Sequence, residues 1–200
     1  MQPYFVPYPG YYMLFKKVDL FVIFDDVQFN PRSFVHRNKI EVNKNISWFT
    51  LPIQKYKKPI LINQLRFDKT SQQFKKFNNF VNVLAREKNL EFIITDLINF
   101  DLEPLDYLIR LNKKITQKLK VSKQMVLSSD FKNSHLSSEK RIIDICKKLN
   151  AKIYINLPSG RRLYNEGNFL NENLKVEFLE EYTGSKISIL NYLCNKSFVL

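Results

Sequence analysis

Cysteine, histidine and glycine are scarce in this chain. Its 200 residues include two cysteines, two histidines and four glycines. Cys146 and Cys194 lie far apart beside apolar residues, so the sequence supports neither a disulfide framework nor a thiolate zinc site, and we expect both to be core thiols. The glycines do not have the spacing of a Walker or dinucleotide-binding loop, and no GxSxG motif or pair of catalytic histidines occurs.

Long apolar runs are missing as well. No stretch approaches the roughly 20 apolar residues of a membrane span, and the start of the chain lacks the charged and apolar regions of a secretory signal. We therefore expect a cytoplasmic protein. With 44% hydrophobic residues, the chain can form one core but not two independent ones, which predicts a single domain over residues 1–200.

Acidic residues are outnumbered, with 19 Asp and Glu against 32 Lys and Arg, which gives a net charge of +13. Such an excess can attract nucleic acid, an anionic substrate or a membrane surface. However, lysines occur in pairs along the whole chain on the polar side of helical patterns, which is typical of solvated faces. The many Asn, Ile, Phe and Tyr residues also fit an AT-rich genome. We expect no nucleic-acid partner.

Short strand-like and helix-like segments alternate along the chain. Apolar patterns predict strands at residues 18–24, 46–53, 60–67, 90–95, 123–128, 151–156 and 174–179. They predict helices near residues 70–84, 104–119, 138–149 and 188–194. Ser137 or Ser138 is expected to cap the helix at 138–149. This order predicts the α/β class, with a partly parallel mixed sheet flanked by helices, Rossmann-like layering and a small antiparallel insertion at 46–67. In such folds the pocket lies beyond the carboxyl ends of the strands.

Residues 2–12 contain five aromatics, three prolines and a glycine. Proline fixes φ and glycine permits close backbone approach, so this segment is interpreted as a rigid aromatic loop that leads into a helix and lines a pocket. Its candidate ligand-contacting residues are Gln2, Tyr4, Tyr8, Gly10 and Tyr11.

A polar cluster follows the first predicted strand. A carboxylate there could bind magnesium, orient a substrate amine or act as a general base, whereas the structural alternative is an ion-paired turn. Arginines could clamp a phosphate or carboxylate through paired N–H donors, and the histidine is either an acid–base group or a structural residue. The cluster consists of Asp25, Asp26, Gln28, Arg32, His36, Arg37 and Asn38.

A loop after the strand at 151–156 combines small residues, cations and a phenol. Backbone N–H groups and arginine could contact an anion there, although the spacing matches no phosphate-binding motif. The candidates are Ser159, Gly160, Arg161 and Tyr164.

Together these segments resemble the WbqC-like protein family over nearly the whole chain. The matching landmarks, in order, are QPYFVPYPGYY from Gln2, DDVQF from Asp25, HRNKI from His36, WFTLPI from Trp48, YINLPSGRRLY from Tyr154 and SILNYL from Ser188. The resemblance implies a bacterial role in O-antigen and other surface polysaccharide biosynthesis, with glycine transfer to an amino sugar as a suggested activity.

Several positions depart from the family pattern. Members usually carry a strand before the Gln-Pro landmark, whereas Met1 directly precedes Gln2 here, so either the assigned start is too late or a sheet edge is missing. His36 stands where Asn is more usual and Asn191 where Asp is more usual. Residues 181–184, EYTG, replace a Tyr-Gln landmark. These changes bear on substrate detail and activity.

The leading hypothesis is an enzyme that attaches a glycyl or other acyl group to the amine of a nucleotide-linked or lipid-linked amino sugar. Amide formation needs a base and an anion clamp. Asp25, Asp26 and His36 are the catalytic candidates; the arginines hold phosphate and the tyrosines stack on sugar or base. ATP and magnesium are required if the donor carboxylate is activated with ATP, and no resident metal site is expected. The alternative is a non-catalytic binding protein for a sugar nucleotide or lipid carrier, in peripheral contact with the membrane or with polysaccharide-assembly enzymes.

Overall fold

A computed structural model describes residues 1–136, 138–195 and 197–200. Its helices and strands are α1 Pro9–Lys17, β1 Leu20–Ile23, β2 Arg37–Val42, β3 Asn45–Thr50, α2 Gln72–Leu84, α3 Glu91–Ile98, α4 Pro104–Lys118, β4 Gln124–Leu127, α5 Ser138–Lys148, β5 Ile153–Asn156, α6 Glu166–Leu170, β6 Lys175–Phe178 and α7 Ile189–Leu193. The α/β class is confirmed. Of the two predicted caps of α5, Ser137 lies outside the described residues.

The described strands form two-stranded sheets. β1 pairs with β4 in parallel, with Leu20 opposite Gln124, and β5 pairs with β6 in parallel, with Ile153 opposite Lys175. β2 and β3 form an antiparallel pair. The predicted single mixed sheet with Rossmann-like layering is therefore not continuous in the described part, because β1 and β5 both line a cavity and do not pair with each other.

The antiparallel insertion lies earlier than predicted. β2 and β3 form a hairpin through Asn43 and Lys44, whose positive φ values of 51° and 62° suit the two-residue turn that matches strand twist. The predicted strand at 60–67 was wrong in extent. This segment supplies only the isolated bridges of Leu61 to Gln28 and of Phe67 to Ile53, and it turns through a short 3-10 helix.

The predicted strand at 90–95 was also wrong, because the segment enters helix α3. Its β-branched composition favours a strand, yet Leu90, Ile93 and Leu97 are all buried and recur at helical spacing. Packing of that face on α4 overrides the local preference of the isoleucines.

Two apolar clusters stabilise the fold. The larger one includes stacked Phe49 and Phe77, with ring centroids 4.7 Å apart, against Phe5. The smaller one joins α5, α6 and the β5–β6 pair around Cys146 and Phe169. Burial raises the pKa of the Cys146 thiol to about 11, which agrees with an inert core thiol. No helix in the described part of the chain could cross a membrane.

Candidate functional site: an aromatic platform and a separate acid network

The N-terminal aromatic segment is bent at Val6. This β-branched residue has φ 37°, in the left-handed region that such side chains rarely adopt. Its carbonyl accepts hydrogen bonds from Asn38 Nδ2 at 2.7 Å and Ser188 Oγ at 2.9 Å, all in the buried interior. Asn38 is wholly buried, so it holds the bend and positions the neighbouring tyrosines, rather than reaching a ligand itself.

The bend brings Tyr4 against an exposed aromatic surface. Its ring stacks on Phe34 with centroids 5.0 Å apart, and Phe34 lies 6.1 Å from Trp48. The Arg37 guanidinium lies 4.4 Å above the Trp48 ring. Phe34 is 43% exposed and Trp48 is 42% exposed, so both rings are open to solvent. We call Tyr4, Phe34, Arg37 and Trp48 the aromatic platform.

Arg37 also connects Arg32 to the platform. Its Nη2 donates to the backbone carbonyl of Arg32 at 3.0 Å, and Arg32 itself is exposed. Within the described part of the chain, the buried Arg37 Nε and His36 Nδ1 have no hydrogen-bond partner. Buried polar atoms of this kind are normally paired, so these two nitrogens are exceptions within the fold.

His36 lies beside the platform with its ring edge-on to Phe29, at a centroid distance of 5.2 Å. Burial, together with the neighbouring Arg37 charge, lowers its pKa to about 4. The imidazole is therefore neutral at pH 7 and is a weak base.

The lowered pKa of His36 makes the protein less stable in acid. The unfolded state binds a proton below the ordinary value of 6.5 and the folded state only below about 4, so stability is lost as pH falls through this interval. In His36→Asn, the free energy of unfolding should fall by about 2–3 kcal/mol less than in wild type as the pH is lowered from 7 to 4. Urea unfolding between pH 7 and pH 4 measures it, with exposed His135→Asn as the control. Parallel pH profiles for wild type and His36→Asn would contradict the assignment.

Tyr8 and Gly10 pack against the segment before the last helix. The Tyr8 ring lies 5.6 Å from that of Tyr182, and a Cβ on Gly10 would lie 2.7 Å from Tyr182 Cβ. Glycine is thus needed for close approach at the start of α1.

Gly10→Ala should destabilise the protein by about 1–3 kcal/mol, because Tyr182 must shift in a packed environment. Thermal unfolding measures the change. Gly167→Ala is the matched control, since its added Cβ would meet only the Asn165 side chain, at 3.2 Å, and its effect should be near zero. Equal melting temperatures for the Gly10 variant and wild type would refute the packing argument.

Tyr11 lies in the core instead of on the platform. It is 2% exposed, its hydroxyl donates to the Gln2 carbonyl at 3.2 Å, and burial raises its pKa. The exposed Gln2 and Gln28 side chains have no described contact with the platform residues.

The twin acids belong to a second group at the carboxyl end of β1. Asp25 is 1% exposed, and its oxygens accept hydrogen bonds from the Ser129 backbone N–H at 3.0 Å and from Asn63 Nδ2 at 3.0 Å. Ser128 Oγ lies 3.1 Å from Asp25 Oδ1 and also contacts Asp26. These bonds join β1 to the turn that follows β4, so Asp25 is tied into the fold.

Asp26 forms a buried ion pair with Arg141 of α5. The two side chains are 10% and 7% exposed. Burial opposes ionisation of Asp26, yet hydrogen bonds from Arg141 and Ser128 outweigh it and hold the carboxyl pKa below its ordinary value. Arg141 Nε also donates to Asn133 Oδ1 at 3.0 Å. The network therefore cross-links the first strand to a distant helix.

The loop after β5 forms a third group. Asn156 Nδ2 donates to the Tyr154 hydroxyl at 2.9 Å and lies 3.3 Å from that of Tyr164. A Cβ on Gly160 would lie 2.7 Å from Asn156 Nδ2. Arg161 lies over the Phe178 ring, while Ser159 is exposed.

The structure thus brings together only part of the predicted site. Tyr4 and Arg37 belong to one platform through Phe34 and Trp48, Arg37 bonds to the Arg32 carbonyl, and the Arg37 charge acts on His36. No hydrogen bond, ion pair or ring contact among the described residues joins these four residues to Asp25, Asp26 or the third group. Sequence reasoning missed Phe34, Trp48, Ser128, Asn133 and Arg141. The place of a tryptophan in the predicted strand at 46–53 was the available signal for Trp48, but nothing local marks Arg141, which lies more than a hundred residues from its acid partner.

Comparison with known proteins identifies the family. The sequence model of the WbqC-like protein family matches residues 2–189. The chain belongs to the WbqC-like protein family. The chain is also similar to the uncharacterized protein Rv1507c of Mycobacterium tuberculosis, with 26% identity over 188 residues, which cover 90% of this chain and 80% of that protein. No solved structure matches the chain.

The positions that depart from the WbqC-like pattern have structural roles here. Asn191 Nδ2 donates to the Glu41 carbonyl at 2.7 Å, and its Oδ1 accepts from the Glu41 N–H at 3.1 Å. An aspartate could not donate the first of these bonds, so asparagine suits this contact. Tyr182 of the replaced landmark packs on Tyr8.

Proposed function

We propose that this WbqC-like protein binds a nucleotide-linked amino sugar on the aromatic platform and transfers an acyl group, such as glycyl, to the sugar amine. The observation that carries the proposal is the Arg37 guanidinium above the exposed Trp48 ring. Sugar faces and nucleobases stack on exposed aromatic rings, and a guanidinium fork pairs with phosphate oxygens. A ligand with a ring and a diphosphate uses both features at once.

The charge around the platform fits an anionic ligand. Lys39 lies opposite Trp48 in the β2–β3 hairpin with its ammonium 5.8 Å from the ring, and Arg32 is joined to Arg37. Two cations, Arg37 and Lys39, thus lie close to the exposed Trp48 ring.

The deprotonated amine of the acceptor forms a C–N bond to the carbonyl carbon of the activated donor, and the bond from that carbon to its activating group breaks, so that this group leaves while a base takes the amine proton. Neutral His36, which precedes Arg37 in the chain, is the candidate base, although a pKa of about 4 limits its strength as a base. Asp25 and Asp26 are held by internal hydrogen bonds, so their catalytic role stays a prediction that requires this network to open.

The residues present do not fit a protein-held metal ion. Among the described residues, no three His, Cys, Asp or Glu side chains gather at one place, and both oxygens of Asp25 and Oδ1 of Asp26 already have partners. If ATP activates the donor carboxylate, magnesium would have to arrive with its phosphates.

A non-catalytic binding protein for a sugar nucleotide or lipid carrier is the second candidate. The internal hydrogen bonds that hold Asp25 and Asp26 favour this candidate, because a protein that only binds its ligand needs no free carboxylate.

One experiment separates the two functions. The pure protein is incubated with glycine, ATP, magnesium and a nucleoside-diphosphate amino sugar, and the sugar mass is followed. Gain of one glycyl group, lost in Arg37→Ala, supports the transferase. Saturable binding without product, with ATP-activated or preformed glycyl donors, supports the binding protein. Absence of binding would reject both.

A further inference from the structure

The β2–β3 hairpin has one outer edge that the rest of the fold covers. The Ser188 N–H donates to the Lys39 carbonyl at 2.8 Å. The Asn191 side-chain amide bonds to both the N–H and the C=O of Glu41, at 3.1 and 2.7 Å. Lys39 and Glu41 therefore direct their backbone groups away from β3, and the start of α7 covers this edge of β2.

The outer edge of β3 is open at two residues. In the hairpin, Trp48 lies opposite Lys39, and Ile46 lies opposite Glu41. Opposite residues of an antiparallel pair either exchange both of their backbone hydrogen bonds or exchange neither, so Ile46 and Trp48 direct their N–H and C=O groups away from β2. Within the described ranges of the chain, no hydrogen bond reaches these four groups outside the hairpin.

The side chains at this open edge are apolar and lie in solvent. Ile46 and Trp48 are two residues apart, so they share one face of the hairpin, and they are 60% and 42% exposed. Residues 45–54 include no charged side chain, although the chain has a net charge of +13. Edge strands are commonly protected from pairing by lysine, proline or a bulge. β3 contains neither residue and pairs with β2 in regular register, so its edge can accept a strand.

We propose that two copies of this protein pair through the open edges of β3 and form a dimer with a four-stranded antiparallel sheet. A two-fold interface of this kind is self-complementary and closes at two copies. This inference concerns assembly and goes beyond the proposed ligand and reaction.

One register uses every open backbone group. When Ile46 lies opposite the partner's Trp48, each of the two such pairs exchanges two hydrogen bonds, and Ser47 lies on the two-fold axis. A register centred on Trp48 would need the Thr50 carbonyl, which already accepts from Gln73 Nε2 at 2.9 Å. The geometry therefore selects the register centred on Ser47.

Side-chain pairing and charge both favour a second copy as the partner strand. Each Ile46 meets an indole, and aromatic residues paired with β-branched residues across strands stabilise antiparallel sheets. Arg37 and Lys39 lie on β2, so these cations of one copy are three strand spacings, about 14 Å, from those of the other, beyond the screening length of roughly 8 Å at physiological salt. A charged peptide would find no opposite charge on β3 itself.

The dimer brings the two aromatic platforms to one surface, because each platform includes its own Trp48. The partner's Ile46 then lies beside each Trp48 ring. Each copy thus contributes a side chain to the border of the other copy's platform.

Analytical ultracentrifugation of the 200-residue chain tests the proposal. We expect a monomer–dimer equilibrium in which the dimer fraction rises with protein concentration. Ser47→Lys places two like charges opposite each other on the axis and should raise the dimer dissociation constant about tenfold or more. Ser47 is exposed, so circular dichroism should show an unchanged fold.

Ser47→Glu is the matched variant, because it changes net charge in the opposite direction and should weaken the dimer in the same way. An equimolar mixture of the Ser47→Lys and Ser47→Glu proteins should restore the dimer, since opposite charges then face each other across the axis. This recovery is specific to a register in which Ser47 pairs with itself.

Three results would overturn the proposal. The first is a monomer at every concentration, including one that binds an unrelated extended peptide with saturation, which would assign the edge to another molecule. The second is a dimer that both Ser47 variants leave intact, because another surface would then form it. The third is a mixture that fails to recover the dimer. None of these measurements uses a sugar nucleotide, so the proposed function can fail or succeed independently.

Discussion

Replacing Asp26 with alanine should lower the free energy of unfolding by about 3–5 kcal/mol, because it leaves the Arg141 guanidinium buried without its anion. Arg141 is 6% exposed and cannot turn to water without disturbing α5. The substitution also removes the contact of Ser128 with Asp26, while the bond of Ser128 to Asp25 is kept. Urea unfolding followed by circular dichroism measures the loss.

The double variant Asp26→Ala with Arg141→Met provides the sharper comparison. It removes both charges, so the loss should be smaller than for Asp26→Ala alone. Asp101→Asn, a change at an exposed acid, should alter stability by less than about 0.5 kcal/mol. If Asp26→Asn instead keeps wild-type stability and ligand binding while turnover is lost, Asp26 is catalytic and the scaffold role assigned to it is wrong.

Arg37→Ala should weaken binding of a nucleoside-diphosphate amino sugar about 10- to 100-fold, the loss typical of a charge-assisted hydrogen bond. The substitution also removes the cation from the Trp48 face. Isothermal titration calorimetry at fixed salt concentration measures the affinity, since phosphate contacts are screened by salt.

Two controls separate stacking and pairing from net charge. Arg86→Ala removes one positive charge from an exposed helix end and should leave affinity unchanged. Arg37→Lys keeps the charge but loses the planar fork, so it should recover only part of the affinity. Equal losses in the Arg86 and Arg37 variants would mean that the ligand responds to net charge alone, and the platform would have no special role.

The sequence predicted the elements whose apolar pattern is long or bounded by clear signals. α4, with proline at its first position, and β1, followed directly by two acids, lie where periodicity places them. The segment at 90–95 was misassigned because β-branched isoleucines favour a strand while the tertiary contacts of Ile93 and Leu97 require a helix. Local preference could not reveal that outcome.

The sequence predicted only part of the candidate site, because local composition does not show which distant residues come into contact. The aromatic residues and arginines of the platform lie within short stretches of sequence, so composition indicates them. The partners of the acids do not: Ser128 and Arg141 are brought to Asp25 and Asp26 by the β1–β4 pairing and by the packing of α5. Adjacent carboxylates at a strand end are equally typical of an active site and of a buried network, and only the distant partners distinguish the two.

Fluorescence of Trp48 tests the central claim most directly, because Trp48 is the single tryptophan of the chain and lies in the platform. Titration with a nucleoside-diphosphate amino sugar should change its emission in a saturable way, and Arg37→Ala should shift the midpoint about 10- to 100-fold. If the ligand binds by calorimetry while Trp48 emission stays constant, binding occurs away from the platform and the account is wrong.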